Sequence, residues 1–532
     1  MNQLKMNFFY RGLVGLSLLA AVPFVSVAQK PNWQNLDLTA DTTFGISTEK
    51  AYNELLKGKK SKSVIVGVLD GGVDINHEDL KAILWINKKE KAGNGKDDDK
   101  NGYIDDVNGW NFLGSAKGSI NNETLELTRL VRRDNARFAN ATESTVKAEE
   151  LADFKAYQAN KGELQKQLEE AKQGLANFEG IKLAIDAVVK KMGKENPTAQ
   201  DFKNLTPADD MERNVQRIMV AQLSNATFEE FYNAQILPGY EHFKSQLDYN
   251  LNVDYDPRSI VGDDPNNSKE RFYGNNDVAG PDAMHGSHVA GIIAAVRTND
   301  LGIMGVADNV AIMGVRCTPN GDERDKDVAN SIRYAVDNGA KVLNMSFGKG
   351  FSWDKAIVDE AVKYAVSKDV LLIHAAGNDN KDLEVEPNFP EAKYLDGQLA
   401  SSWITVGASG WKKDNSLKAD FSNYGKTTVD VFAPGVNINS TIPGSKYRKL
   451  NGTSMAAPVV AGLAALIRSY YPKLTAVEVK DIIMKSVVKV DQVISVEQAD
   501  GNVKNIPFAD LCVSGGIVNA YNALKLAAEY KK

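Results

Sequence analysis

The chain has 532 residues, of which 25% are charged and 43% are hydrophobic, as in a soluble globular protein with room for a large domain and an insertion. Its formal net charge of -6 is small for this length. This charge argues against nucleic acid as a partner and against a basic membrane-binding surface.

The first 28 residues have the pattern of a secretory signal peptide. Lys5 and Arg11 precede an apolar stretch, and residues 26–28 (Ser-Val-Ala) have the small-x-small form of a signal-peptidase site. We expect cleavage after Ala28, an N-terminal extension over residues 29–63, a secreted or periplasmic location and no later membrane attachment. The alternative is an uncleaved anchor helix, which the short apolar run disfavours.

Short apolar segments, several of them followed by a helical pattern, recur through the rest of the chain. Such an alternation predicts an α/β fold whose mostly parallel sheet is covered by helices on both faces. The predicted strands are 64–69, 310–315, 341–345, 370–374, 404–408 and 429–432, and the predicted helices include 327–336 and 353–367. In such sheets, ligands bind at the carboxyl ends of the strands.

An acidic segment that follows the first strand resembles a calcium-binding loop. Its candidate ligands are Asp97, Asp99, Asn101 and Asp105. Gly102 occupies the sixth position of the loop, but Asn108 stands at the twelfth, where a Glu is expected. The segment predicts either a structural calcium ion, which stabilises the fold without taking part in catalysis, or an acidic solvated turn.

The stretch 110–272 differs from the rest of the chain because it is dominated by helical patterns. Residues 145–192 are rich in Ala, Glu, Lys, Leu and Gln, and a second helical tract covers 208–247. This pattern predicts a helical subdomain inserted into the α/β domain. Its role stays open between a solvated appendage or dimerisation arm and a lid that governs substrate access.

Three separate signals predict a catalytic triad. Asp70 ends the first apolar strand, His285 begins a His-Gly-Ser-His segment, and Ser454 stands between a glycine turn and an apolar helix. Each alone has an ordinary alternative, since Ser454 could simply cap its helix and His285 could be a loop residue. The chain order Asp, His, Ser is one of the known orders of a nucleophilic triad, so together they predict covalent serine catalysis.

Asn378 is the candidate oxyanion donor. It follows a buried strand in the segment Ala-Ala-Gly-Asn, from which its side-chain amide can donate to a developing negative charge. The alternative is a turn asparagine in the left-handed region.

The cysteines and the paired histidines carry weaker signals. Cys317 and Cys512 are far apart in sequence, so a disulfide and two free buried thiols both remain open. Neither has the surroundings of a cysteine nucleophile. His285 and His288 are three residues apart, but no Glu lies between them and no third ligand is evident, which disfavours zinc.

Four segments carry a resemblance to a known family. They are DGGVDINHEDL, HGSHVAGIIAA, AAGN and GTSMAAPVVAGLAAL. These segments resemble the signature regions of the subtilisin-like serine peptidases, or subtilases. The resemblance implies a three-layer subtilisin-like domain over residues 64–109 and 273–532, interrupted by a helical insertion over 110–272.

The same resemblance assigns roles to individual residues. It makes Asp70, His285 and Ser454 the triad and Asn378 the oxyanion donor. It also implies that the edge Ser346-Phe347-Gly348 pairs with an extended polypeptide substrate and lines the main specificity pocket. The family requires no cofactor for catalysis.

Three features depart from the family pattern. The acid and the base are 215 residues apart because of the insertion. Residues 29–63 leave no room for the usual folded inhibitory pro-domain, which puts conventional maturation in doubt. Residues 379–388 replace the usual small, glycine-rich stretch before an aromatic-Pro pair, so the floor of the specificity pocket is undefined.

The function predicted from the sequence is that of an exported serine endopeptidase acting on polypeptides. The alternative from another class is a non-catalytic scaffold or binding protein that retains the fold. An esterase or transacylase could use the same machinery. The sequence leaves the oligomeric state, the natural substrate and the activation route open.

Overall fold

The computed structural model describes residues 29–498 and 500–530. The predicted signal peptide, residues 1–28, lies outside the described residues. Within these described ranges, no helix combines the length and the apolar character needed to cross a bilayer.

The strands form one large sheet and three small hairpins. They are β1 (Val64–Asp70), β2 (Gly109–Asn111), β3 (Gly114–Ser115), β4 (Gly118–Ser119), β5 (Val310–Arg316), β6 (Val342–Met345), β7 (Leu371–Ala375), β8 (Trp403–Ser409), β9 (Val431–Pro434), β10 (Ile438–Ile442), β11 (Lys446–Leu450), β12 (Val488–Lys489), β13 (Val493–Glu497), β14 (Val503–Pro507) and β15 (Gly516–Ile517).

The large sheet has nine strands in the order β12-β15-β9-β8-β7-β6-β1-β5-β2. Every neighbouring pair is parallel except β12 with β15, which is antiparallel and lies at one edge. β1 therefore lies between β6 and β5, with Asp70 opposite Arg316. The parallel direction brings the carboxyl ends of β1, β6 and β7 to one edge of the sheet.

Helices flank the sheet and build the insertion. They are α1 (Leu38–Asp41), α2 (Thr48–Ala51), α3 (Glu126–Phe138), α4 (Leu151–Met192), α5 (Ala199–Asn204), α6 (Asp210–Gln222), α7 (Phe228–Phe231), α8 (Leu237–Ser245), α9 (Arg258–Val261), α10 (Met284–Ala294), α11 (Asp325–Asp337), α12 (Lys355–Ser367), α13 (Thr453–Tyr470), α14 (Ala476–Lys485) and α15 (Ala520–Tyr530).

Both faces of the large sheet are buried. Val66 and Val68 of β1 pack in one hydrophobic cluster with α10 and α13, whereas Leu69 packs in a second cluster with α11 and α12. This alternation follows from the two-residue period of a strand, which sends neighbouring side chains to opposite faces. The predicted α/β architecture, with a mostly parallel sheet covered on both faces, is confirmed.

The insertion is a compact unit of its own that spans Asn122–Asp256. The 42-residue helix α4 is its longest element, and its own core includes Ile185, Phe202 and Met219. The sequence predicted wider bounds, 110–272. Residues 110–121 and 257–272 belong instead to the α/β unit. The first of these segments begins in β2, which pairs with β5, and the helical patterning did not indicate so short an edge strand.

The segment predicted as an N-terminal extension is part of the α/β core. Trp33 is 2% exposed and lies in the same cluster as Val66, and its Nε1 donates a hydrogen bond to the Val436 carbonyl at 3.2 Å. Residues 29–56 therefore pack as part of the folded α/β unit and do not form a separate extension.

Candidate active site

The acid of the predicted triad, Asp70, is held at the carboxyl end of β1. It is 2% exposed, and its Oδ1 accepts a hydrogen bond from the Gly71 backbone N–H at 2.7 Å. The Nδ1 atom of His285 lies 2.8 Å from Oδ1 and 3.0 Å from Oδ2. A carboxylate in this position fixes the tautomer of the imidazole, with the proton on Nδ1 and Nε2 free to accept.

The base, His285, is the second residue of α10, so it lies on a helix and not in a loop. Its side chain is 38% exposed, and the next residue is packed tightly against the acid. A Cβ on Gly286 would lie 2.2 Å from the Gly72 carbonyl oxygen and 3.1 Å from Asp70 Cβ, so only glycine permits this approach. Burial lowers the pKa of His285, but the Asp70 carboxylate raises it more, and the net pKa lies above the usual value.

The nucleophile candidate, Ser454, is the second residue of α13, after Gly452 and Thr453. Gly452 has a φ of 154° and occupies the N-cap position. The alternative that Ser454 merely caps this helix is therefore wrong, since the serine lies two residues after the N-cap. Its Oγ donates a hydrogen bond to the Ser346 carbonyl at 3.1 Å.

Asn378 is oriented by the first residue of the same helix. Its Oδ1 accepts hydrogen bonds from the Thr453 backbone N–H at 2.7 Å and from Thr453 Oγ1 at 2.9 Å. The Nδ2 group therefore faces away from Thr453. A Cβ on Gly452 would lie 3.7 Å from Asn378 Nδ2 and 3.5 Å from the Ser454 backbone N, so both donors border one small space beside the serine.

The predicted substrate-binding edge, Ser346-Phe347-Gly348, directly follows β6. Ser346 Oγ donates to the Ser454 carbonyl at 2.9 Å, and Ser454 Oγ donates to the Ser346 carbonyl, so two reciprocal hydrogen bonds join this edge to α13. His374 Nε2 donates to the Phe347 carbonyl at 2.8 Å. Burial lowers the pKa of His374 to about 4, so the imidazole is neutral at physiological pH and acts as a fixed donor.

Asn388 is the last residue of the segment 379–388, for which the sequence defined no pocket floor. Its Nδ2 donates to the carbonyls of Ala375 and Ala376 at 3.2 Å each. A Cβ on Gly348 would lie 2.5 Å from Asn388 Oδ1, so the amide occupies the space between the substrate-binding edge and the end of β7.

The remaining histidine and cysteine predictions can be placed as well. His288 is buried and donates from Nε2 to the Arg448 carbonyl at 2.9 Å, and burial lowers its pKa to about 4. Cys317 and Cys512 are both buried and free, so they do not form a disulfide with each other. Burial raises the pKa of both thiols, which makes them unreactive at neutral pH.

The acidic loop gathers a group of carboxylates that differs from the predicted one. Ligand atoms of Glu90, Asp99 and Asp106 lie within 4.8 Å of one another, and this is the one such group among the described residues. Of the three predicted carboxylate ligands only Asp99 belongs to it, and Asn101 Nδ2 donates a hydrogen bond to Asp106 Oδ2 at 3.0 Å. The carboxylates of Asp97 and Asp105 accept backbone hydrogen bonds within the loop instead.

These local arrangements agree with a comparison against known families. A model described as that of the subtilase family matches residues 61–506. The chain belongs to the subtilase family. The match covers both halves of the α/β unit and extends across the helical insertion.

Several relatives of this subtilase are similar to it over about a third of its length. It is 44% identical over 186 residues to "Thermophilic serine proteinase" of Bacillus sp. (strain AK1), covering 35% of this chain and 42% of that protein. It is 40% identical over 202 residues to "Subtilisin NAT" of Bacillus subtilis subsp. natto, covering 37% and 49%. It is 37% identical over 198 residues to "Subtilisin Savinase" of Lederbergia lenta, covering 37% and 67%. The matched part spans less than half the length of the first two relatives.

Sequence reasoning missed several residues of this site. Thr453 orients Asn378, but a threonine at the start of a helix has no distinctive signal. Glu90 lies seven residues before the acidic loop and reaches it only through the folding of the intervening turn. Asp106 could have been found, because it is an aspartate directly after the predicted ligand Asp105.

Proposed function

We propose that this subtilase is a serine endopeptidase, in which Ser454 is the nucleophile, His285 the general base and acid, and Asp70 the residue that orients the base. The observation that carries the proposal is the double contact of His285 Nδ1 with the buried Asp70 carboxylate. Such a contact leaves Nε2 unprotonated, as a general base requires.

The first step is proton transfer from Ser454 to His285. The Ser454 hydroxyl donates to the Ser346 carbonyl and makes no hydrogen bond to His285 among the described residues. The proposed step therefore requires rotation about the Ser454 Cα–Cβ bond to direct that donor toward His285 Nε2. Catalytic hydrogen bonds of this kind often tighten only when substrate is bound. The serine oxygen then attacks the substrate carbonyl carbon, and the carbonyl π electrons move to oxygen.

The oxyanion that forms would lie between two donors beside Gly452. Asn378 Nδ2 and the Ser454 backbone N–H border this space, and the start of α13 adds the positive end of a helix dipole. When the tetrahedral intermediate collapses, His285 protonates the leaving amine. Water then attacks the acyl-enzyme by the reverse sequence of proton transfers and releases the free acid.

The substrate would be an extended polypeptide. The edge Ser346–Gly348 follows a strand, and an added strand can pair its backbone there. The fixed donor His374 and the return contact from Ser346 Oγ hold this edge rigid against the nucleophile helix. Together with the predicted signal peptide, this indicates a secreted or periplasmic enzyme that degrades proteins.

The proposal is tested by casein digestion with purified Ser454→Ala. Loss of the nucleophile removes covalent catalysis, so we expect at least a thousandfold lower rate with an unchanged melting temperature. Ser469→Ala is the matched control, because Ser469 lies on the same helix and donates only to the Leu466 carbonyl. Activity of Ser454→Ala within tenfold of the control would show that the protein is not a serine peptidase of this type.

We further propose that Glu90, Asp99 and Asp106 hold a structural calcium ion. Glu90 is 9% exposed and its Oε2 has no hydrogen-bond partner, and no ion pair of the described residues includes any of the three carboxylates. Three converging oxygen donors without a neutralising side chain suit a hard cation such as Ca²⁺ and not zinc. The ion would join the turn at Glu90 to the loop that leads into β2.

The calcium proposal is tested by thermal unfolding with excess calcium and with chelator. We expect a lower melting temperature in chelator for the wild type, because an ion that binds only the folded state stabilises it. In Glu90→Gln that difference should be strongly reduced. Asp98→Asn is the control, since Asp98 lies in the same loop but outside the group of three. Equal melting temperatures of the wild type in both buffers would contradict the site.

A further inference from the structure

Arg316 is a fully buried cation directly behind the candidate triad. It is the last residue of β5 and is 1% exposed. In the strand register its backbone lies opposite Asp70 of β1 on one side and Asn111 of β2 on the other. No carboxylate of the described residues lies within ion-pair distance of it. Burial lowers its pKa to about 10, so the guanidinium stays charged at neutral pH. Burying a charge without an ion-pair partner destabilises the folded state, so we asked what Arg316 contributes to function.

The guanidinium donates in three directions, and one of them reaches the residue after the acid. Nε donates to the Gly71 carbonyl at 2.7 Å, and Gly71 in turn donates its N–H to Asp70 Oδ1 at 2.7 Å. Nη1 donates to Asn111 Oδ1 at 3.1 Å and Nη2 to the Ile120 carbonyl at 2.6 Å. Arg316 therefore joins the turn after Asp70 to the edge strand β2 and to the Ile120 backbone.

The same guanidinium also contacts the segment that leads to the base. Gly280 has a φ of +63°, and a Cβ there would lie 2.2 Å from Arg316 Nε. The neighbouring residue Ala279 packs its carbonyl against Gly72, since a Cβ on Gly72 would lie 2.1 Å from that oxygen. The turn at Gly71 and Gly72 is thus enclosed by Arg316 and the 278–280 segment, with Gly286 of the histidine helix also packed against Gly72.

We propose that Arg316 is a positioning residue for catalysis, which sets the Asp70–His285 contact by fixing the Gly71 carbonyl. The proposal rests on the proposed peptidase function. A planar guanidinium with three acceptors in different directions defines the position of a turn, whereas a lysine ammonium cannot reach all three. A displacement of about 1 Å in a catalytic group costs on the order of 10²-fold in rate.

The test compares Arg316→Met and Arg316→Lys, with rates expressed per active site titrated by a fluorophosphonate. We expect both variants to lose about 10²-fold in kcat with KM changed less than threefold. Because Asp70 raises the pKa of His285, a misplaced Asp70 should also move the acidic limb of the kcat/KM profile to lower pH. Arg468→Met is the control, since Arg468 is a buried arginine of the same unit that donates to the carbonyls of Lys341 and Asp369.

The outcomes separate a positioning role from a merely structural one. A lower melting temperature with unchanged kcat and an unchanged acidic limb would overturn the proposal, as would full recovery by Arg316→Lys. If the Arg316 variants do not fold, Gly280→Ala carries the test, because its methyl group displaces the guanidinium and should shift the limb in the same direction. Failure of all three to fold would mark Arg316 as structural. Absence of titratable sites in the wild type would remove the peptidase function itself.

Discussion

The replacement Asp70→Asn is the most informative change to the triad. It keeps the size of the buried side chain, but the amide can present an N–H group where His285 Nδ1 needs an acceptor. The imidazole is then held in the wrong tautomer, and the positive charge it gains during catalysis loses its counter-charge.

The size of the effect follows from the geometry. Two unit charges 2.8 Å apart interact by about 6 kcal/mol at an effective dielectric constant of about 20. Because 38% of the His285 side chain is exposed, solvent screens part of this, and we take about 4–6 kcal/mol. That energy corresponds to a loss of roughly 10³–10⁴-fold in kcat.

The assay is kcat/KM for a chromogenic peptide, with the melting temperature as the measure of folding. Asp282→Asn is the matched control, because Asp282 lies three residues before His285 yet is exposed and accepts a hydrogen bond from the Met284 N–H. We expect the control to stay within threefold of the wild type. If Asp70→Asn retained more than a tenth of the activity in a folded protein, the assignment of Asp70 as the orienting acid would be wrong.

Two further predictions concern the oxyanion space and the base. Asn378→Leu, which removes the amide at similar volume, should lower kcat by about 10²–10³-fold with little change in KM. This magnitude is the loss found for the oxyanion asparagine of a subtilisin. A larger effect on KM than on kcat would contradict an oxyanion role. Activity should fall as the pH drops through the raised pKa of His285, because the protonated ring cannot accept the Ser454 proton. The midpoint of the acidic limb of kcat/KM should therefore lie above pH 6.5. A flat kcat/KM profile between pH 5 and 8 would exclude His285 as the base.

Much of the fold could be predicted, and the members of the proposed triad could be named, because their signals are local. The strand β1 is an unbroken apolar run, and Asp70, His285 and Ser454 each stand beside glycines or apolar segments of fixed pattern. The parallel order of the strands then explains why Asp70 at the end of β1 and Ser346 after β6 lie at the same edge of the sheet.

What the sequence did not predict depends on tertiary contacts. Arg316 lies one residue beyond the predicted strand 310–315, and only the pairing of β5 with both β1 and β2 places it between Asp70 and Asn111. Glu90 likewise joins Asp99 and Asp106 through a turn that has no repeating pattern. The sequence places Trp33 in an N-terminal extension, since nothing local shows that its Nε1 donates to the Val436 carbonyl.

The central claim is that Ser454 is made nucleophilic by His285. The direct measurement is mass spectrometry of the protein after reaction with a fluorophosphonate, with the modified peptide sequenced. We predict a single phosphonylated residue, Ser454, and at least a hundredfold slower labelling in His285→Ala. Modification at another residue, or equal labelling rates in the two proteins, would contradict the claim.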